Sequence, residues 1–402
     1  MTRMPRIPAN IGVASGACTD AQRDLMKPLM DLQRSKLRLT FSQHASRHAR
    51  RIMNAPPARA GKIAFVEKKV ADLAHVQELL SHCDECNQWA NRGPLYWTLA
   101  DAYHEHMNLP KDVSVTPCAN GGIALEALAR FQEIKAGRPL RWVASAFSFV
   151  NVSRGWFADA QLVDCDSAGM LDLASLQKYD PRHYDGLVVT NIFGIWRDFS
   201  PWIEFARNSG KLLLIDNAAG IDRQVPNWPY QSFSLHHTKP YGAGEGGLYL
   251  SPRDEAEEIY ALLNYGPLDE PEVRLWLNNG KISDITCAFH LDRLARHADW
   301  ARRYREQAAR VEAIAASLGL SPLVPGSLDR PAMSRPFLAA GEIPVERMRA
   351  SKKLHLGKYY QPLSDFDRAV AIHLRLVNIP THPDVRQLND EEIVCDLKML
   401  RR

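Results

Sequence analysis

No apolar run in the 402 residues approaches the roughly 18 needed for a membrane span. That leaves out a transmembrane helix. The N-terminal stretch MTRMPRIPANIGVASG lacks the apolar centre of a signal peptide, so the expected location is the cytoplasm. Cysteine is sparse: seven residues, odd in number and scattered, which fits unpaired thiols in a reducing compartment. Cys83 and Cys86 form a CxxC beside His82, but no second CxxC or HxxxH follows, so no metal site is expected. The pair reads as a helix surface or terminus. Internal repeats and low-complexity tracts are missing too.

What remains is the composition of an ordinary globular protein, 46% apolar and 24% charged. The net charge of +4 is unevenly spread: residues 1–60 hold eleven Lys and Arg against three Asp and Glu. That extension carries +8 and the rest of the chain −4. RSKLRLTFSQHASRHARRIM could attract nucleic acid or an acidic surface, but it has no DNA-binding motif and little aromatic interleaving beyond Phe41. A solvated or partner-packing extension is expected, with no nucleic-acid or membrane partner.

NAPPARAGK, residues 54–62, reads as a linker. Beyond it, RWVASA, AQLVDCD, DGLVVTNI and KLLLID are short apolar runs without polar alternation, as in parallel strands buried on both faces. Helical patterns such as PWIEFARNSG separate them, which indicates an α/β domain with a mostly parallel sheet. From Ser283, ITCAFHLDRLARHADWARRYREQAARVEAIAASLG keeps helical spacing for over thirty residues and reads as a bridge into a smaller C-terminal α+β domain. The expected division is a basic extension over 1–60, a large domain over 61–282, and the bridge with the small domain over 283–402.

SFSLHHTKPYGAGEGGLYL begins and ends at strand period, with Lys239 and four glycines between. A lysine there could be solvated, hold a phosphate, or form a Schiff base. Asp216 directly follows KLLLI, at the strand end where open parallel sheets bind ligands. It could cap a turn or face a protonated ring nitrogen. In TPCANGGIALEALARF, Gly121 and Gly122 open a helix, where exposed N–H groups and the helix dipole favour an anion. A Walker loop is ruled out because the glycines follow Lys239, and GAGEGG is not GxGxxG and leads into a strand. Lysine, strand-end aspartate and phosphate cradle together point to pyridoxal phosphate.

The chain resembles the DegT/StrS-type sugar aminotransferases, pyridoxal phosphate enzymes with the aspartate aminotransferase fold (fold type I). The likeness runs from about Lys62 to the C-terminus. CANGGIALEAL resembles the family's NGTxAL turn, SAFSFVNV its FTFVAT segment, and NIFGIWRDF its hYGxxxDM segment. IDNAAGID is similar to DAAxxxG, SFSLHHTKPYGAGEGG to SFxxxKxxxxGEGG, LNNGKISD to NxRMSE, and KYYQPL to HYxPL. Three positions depart from the pattern: Gly122 replaces a threonine, Ala219 stands where Gln, His or Glu is usual, and Asn264 where arginine is usual.

The resemblance implies roles residue by residue. Lys239 would hold the cofactor aldehyde and shuttle the proton, and Asp216 would pair with the pyridinium nitrogen. Phe149 would stack on the ring, while Ser234 with the Gly121 and Gly122 N–H groups would hold the phosphate. Asn279 would reach the phosphate of a neighbouring chain, in a homodimer with shared sites. The implied reaction is transamination, with glutamate as donor and a keto group on a nucleotide-linked deoxysugar as acceptor. A related enzyme acting on a cyclitol or other non-sugar ketone is the alternative. A non-catalytic regulator with a basic nucleic-acid arm is the rival from another class.

Overall fold

The computed structural model describes residues 61–195, 198–266, 279–326 and 328–400. The basic extension over 1–60 therefore lies outside the described residues. Among those described, Lys62 onward belongs to one compact unit.

The apolar runs form a seven-stranded sheet. Its strands are β1 (Val113–Cys118), β2 (Trp142–Ser145), β3 (Gln161–Val163), β4 (Gly186–Thr190), β5 (Leu212–Asp216), β6 (Gln231–Ser234) and β7 (Gly247–Pro252). Their order is β1-β7-β6-β5-β4-β2-β3. The five strands from β6 to β3 run parallel, as expected of runs without polar alternation. Strand β7 is antiparallel to both β6 and β1, because only a hairpin joins β6 to β7 and a hairpin reverses the chain.

Alternate side chains of each central strand enter different cores. Val188 and Leu214 pack with Ala124, Leu128 and Phe131 of one helix, α3 (Gly121–Ala136). Val189, Leu213 and Ile215 pack on the other face with Trp202 and Ile203 of α4 (Ser200–Ser209). Two more helices, α1 (Leu73–Cys86) and α2 (Pro94–His106), precede the sheet. The CxxC lies on the last turn of α1 and is split by burial: Cys83 is fully enclosed and Cys86 exposed.

The segment after Ser283 is not one helix. It divides into α5 (Asp284–Ala295) and α6 (His297–Ser317) at Arg296, whose φ and ψ are −95° and 15°. The carbonyl of Arg293 accepts from the Trp300 indole at 2.8 Å, and the Arg296 guanidinium bonds Asp292 and the Val70 carbonyl. Side chains have taken over groups that would otherwise continue the helix. From there α6 leads to a second, antiparallel sheet of β8 (Ser321–Pro322), β9 (Ser334–Leu338) and β10 (Leu376–Pro380). This sheet has its own core around Val311, Phe337, Val377 and Ile393.

Helices α2 and α5 are joined by one carboxylate. Asp284 is fully buried and accepts from the N–H groups of Gly93, Leu95 and Tyr96 at 3.1, 2.8 and 3.0 Å. These are donors at the α2 N-terminus, of which only Tyr96 N–H has another acceptor, Gly93 O at 3.2 Å. Asp284→Ala strands them in the interior, and a loss of about 2–3 kcal/mol is expected. Urea unfolding monitored by tryptophan fluorescence measures it; a midpoint equal to the parent's would mean that water replaces the carboxylate.

Candidate active site

Strand β5 ends by carrying Asp216 into the crevice at the carboxyl edge of the sheet, where the side chain is only 2% exposed. A buried carboxylate needs donors or countercharge. The Asn151 amide donates to Oδ2 at 3.3 Å and the Ala218 N–H to Oδ1 at 3.3 Å. Burial raises the carboxyl pKa above its ordinary value, while Asn151, the charge of Lys239 and the Ala218 N–H pull it back. Lys239 answers in kind: burial lowers its ammonium pKa and the Asp216 charge opposes that. Burial thus disfavours the charged form of each, and each one's charge offsets part of that for the other.

Lys239 sits in a wide hairpin between β6 and β7. Leu235 N–H donates to Gly246 O at 2.8 Å and His237 N–H to Gly244 O at 2.6 Å, so the strand ladder continues into the loop. Lys239 N–H then donates to His236 O at 2.8 Å and Gly242 N–H to Lys239 O at 3.0 Å, which closes a tight turn around the lysine. The glycines serve this shape. Gly244 has a φ of 103°, which only glycine adopts without strain. At Gly247 a Cβ would come within 2.3 Å of the Asn120 carbonyl carbon. That close approach brings the lysine hairpin against the start of α3.

The start of α3 is the third part. Asn120 caps it, its Oδ1 accepting from Ile123 N–H at 2.9 Å. The N–H groups of Gly121 and Gly122 precede the first intrahelical bond and lie at the positive end of a sixteen-residue helix. A Cβ on Gly121 would stand 3.0 Å from Ser234 Cβ and 3.1 Å from Phe233 O, so the helix end and the β6 end are in contact. Ser234 Oγ accepts from His236 N–H at 3.2 Å. Gly122 is exposed, with Asn120 Oδ1 3.3 Å from where a Cβ would be.

An aromatic group borders the carboxylate. Phe149 is 53% exposed and lies edge-on to Tyr360, with ring centres 6.3 Å apart. Tyr360 stacks on Phe193 at 5.0 Å, and Phe193 holds a left-handed φ of 59°, uncommon for an aromatic residue. Burial and the Asp216 charge raise the Tyr360 hydroxyl pKa.

The fold therefore brings Lys239, Asp216, Ser234, Gly121 and Gly122 to one edge of the sheet, with Phe149 linked to Asp216 through Tyr360. Asn279 belongs to a different set. It is exposed, bridges to Asn264, and its Oδ1 accepts from Lys281 N–H at 3.4 Å. Lys281 Nζ donates to Asn264 Oδ1 at 2.6 Å, so a position that departs from the family pattern is tied into this set. Asn151 and Tyr360 escaped the sequence reading. Each lies in a segment singled out there, but only the fold brings an amide in SAFSFVNV and a ring in KYYQPL to Asp216.

The chain is similar to known proteins in sequence and in fold. Residues 71–334 match the DegT/DnrJ/EryC1/StrS aminotransferase family. Protein Rv3402c of Mycobacterium tuberculosis is 27% identical over 251 residues, which cover 58% of this chain and 60% of that protein. The chain thus spans about three fifths of the length of that relative. A dTDP-4-amino-4,6-dideoxy-D-glucose transaminase of Shigella dysenteriae is 27% identical over 172 residues, 42% of this chain and 43% of the relative. Among solved structures, Helicobacter pylori PseC, an aminotransferase involved in pseudoaminic acid biosynthesis, superposes with a TM-score of 0.69 at 16% identity. That match covers 84% of this chain and 98% of PseC, and it shows a shared fold. With its family match running from the first helix to β9, the chain belongs to the DegT/DnrJ/EryC1/StrS aminotransferase family.

Proposed function

We propose that this protein is a pyridoxal phosphate-dependent aminotransferase that moves an amino group from glutamate to a keto group of a nucleotide-linked deoxysugar. The observation that carries the reading is the meeting of the lysine hairpin, the buried Asp216 carboxylate and an anion-ready helix end at one edge of the sheet. The Shigella relative supports the acceptor class. Glutamate as donor rests on the family resemblance.

The residues fit the cofactor. Gly121 lets α3 approach β6 where a Cβ would collide, and leaves its N–H and that of Gly122 free of intrahelical bonds for a phosphate. Asp216 offers a carboxylate to a ring nitrogen, and Lys239 an amine to an aldehyde. When bound, pyridoxal phosphate supplies that aldehyde and a protonated ring able to accept electron density. The chain supplies the rest. Asp216 keeps a proton on the ring nitrogen, and Asn151 fixes the orientation of the carboxylate. Lys239, its pKa lowered by burial, would take the proton from the donor's Cα and hold it on Nζ. Phe149 orients the ring, and Tyr360 with Phe193 keeps water from that side. Asn279 reaches the phosphate of a second copy in a two-fold dimer.

Borohydride treatment of the loaded protein is expected to fix the cofactor on Lys239, as read by peptide mass mapping, and Lys239→Ala is expected to lose turnover. Label on another lysine would overturn the assignment. Asp216→Asn keeps the shape but loses the charge, and glutamate-dependent amination of keto-sugar nucleotides should fall by at least about a hundredfold, roughly 2.7 kcal/mol of barrier. Near-normal turnover would reduce Asp216 to a turn cap. For the shared site, inactive Lys239→Ala is mixed with Asn279→Asp, whose carboxylate should repel the phosphate. Hybrid dimers would collect both lesions in one site, so activity should partly return. If chains exchange and no activity returns, the sites are not shared.

A further inference from the structure

The lysine hairpin cannot hold its own shape. Four glycines between Lys239 and Leu248 give its backbone unusual freedom, and ordering that backbone costs conformational entropy. The N–H groups of Leu235, His237, Lys239 and Gly242 find partners within the hairpin. Four of its carbonyls, one of them also held by Gly242 N–H, accept from two cations elsewhere in the chain. Lys69 Nζ donates to His237 O at 2.7 Å, to Gly242 O at 2.6 Å, and to Lys239 O. Arg293 of α5 donates to Pro240 O through Nε at 3.0 Å and Nη2 at 2.8 Å.

An ammonium has three protons, and Lys69 spends one on each carbonyl. The acceptors are the catalytic residue itself and residues on both sides of it. Lys69 stands at the end of a strap, residues 62–70, fastened along its length. Ile63 N–H donates to Lys353 O at 2.8 Å, and Lys68 N–H to Asp384 Oδ2 at 2.7 Å. Glu67 is buried, pairs with Arg293 at 2.8 Å, and accepts from the Tyr304 hydroxyl at 2.9 Å. Holding a cation here is costly. Burial, with repulsion from Arg293 and opposed by Glu67, brings the Lys69 ammonium down to about 7.

We propose that Lys69 is a positioning residue for Lys239: its ammonium, gathering the carbonyls of His237, Lys239 and Gly242, fixes the backbone that carries the Lys239 amine. The proposal rests on the aminotransferase reading for what Lys239 does, but not for how its loop is held.

The test uses the full chain and a graded series: Lys69→Arg, Lys69→Gln and Lys69→Met, which keep, reduce and remove the donors. In the cofactor-free protein, amide hydrogen exchange over residues 236–246 should rise at least about tenfold in Lys69→Met and less in Lys69→Gln, with β4 and β5 unchanged. In the loaded protein, kcat of Lys69→Met should fall at least about tenfold and the rate of borohydride fixation should drop, with little change in KM for the donor. Lys69→Arg should recover part of both. Parent-like exchange in Lys69→Met would overturn the proposal, and if that variant does not fold, parent-like exchange in Lys69→Gln does so. If the parent takes no borohydride label at Lys239, the aminotransferase reading fails, while the exchange series still decides the role of Lys69.

Discussion

A carboxylate taken out of water at the end of a strand costs several kcal/mol unless charge and hydrogen bonds answer it. Asp216 imposes that requirement, and much of the surrounding structure meets it. Its strand is clad on both faces, so the side chain cannot turn outward without dismantling two cores. Asn151 reaches over from the loop after β2, and Lys239 must be delivered from the far side of β6. Delivery takes a hairpin, the hairpin forces β7 antiparallel, and the antiparallel strand brings Gly247 against the cap of α3. Carboxylate, amine and helix end are thus outcomes of one packing problem.

Much of this was legible from residue pattern. Apolar runs without alternation marked β2, β4 and β5, because a strand covered on both faces has no polar side to show. Asp216 and the Gly121–Gly122 helix start could be read because strand ends and helix starts leave local signatures. Lys239 gained meaning from its neighbours, four glycines serving a turn and close contacts.

What stayed hidden depends on long-range partners. The helical period runs unbroken through Arg296, yet the helix stops there, since the Trp300 indole takes the Arg293 carbonyl. Nothing local marks Asn151 or Tyr360 as neighbours of Asp216. Lys69 sits in EKK, a string that resembles any solvated charge run, and only the fold reveals its three carbonyls. Asp284 is a similar case: a helix-start aspartate on α5 whose main task is to close the start of α2.

The strap has a bearing on how the protein is made. Lys69 lies 168 to 173 positions before the carbonyls it gathers, and Glu67 lies 226 before Arg293. Lys68 is fastened to Asp384, 316 positions on. During synthesis the strap emerges long before anything it binds, and the lysine hairpin leaves the ribosome before α5 and the second sheet exist. Contacts of such separation form late and slowly. The sheet can assemble earlier, from β1 to β7, but its hairpin gains both cations only once the strap folds back and α5 has emerged.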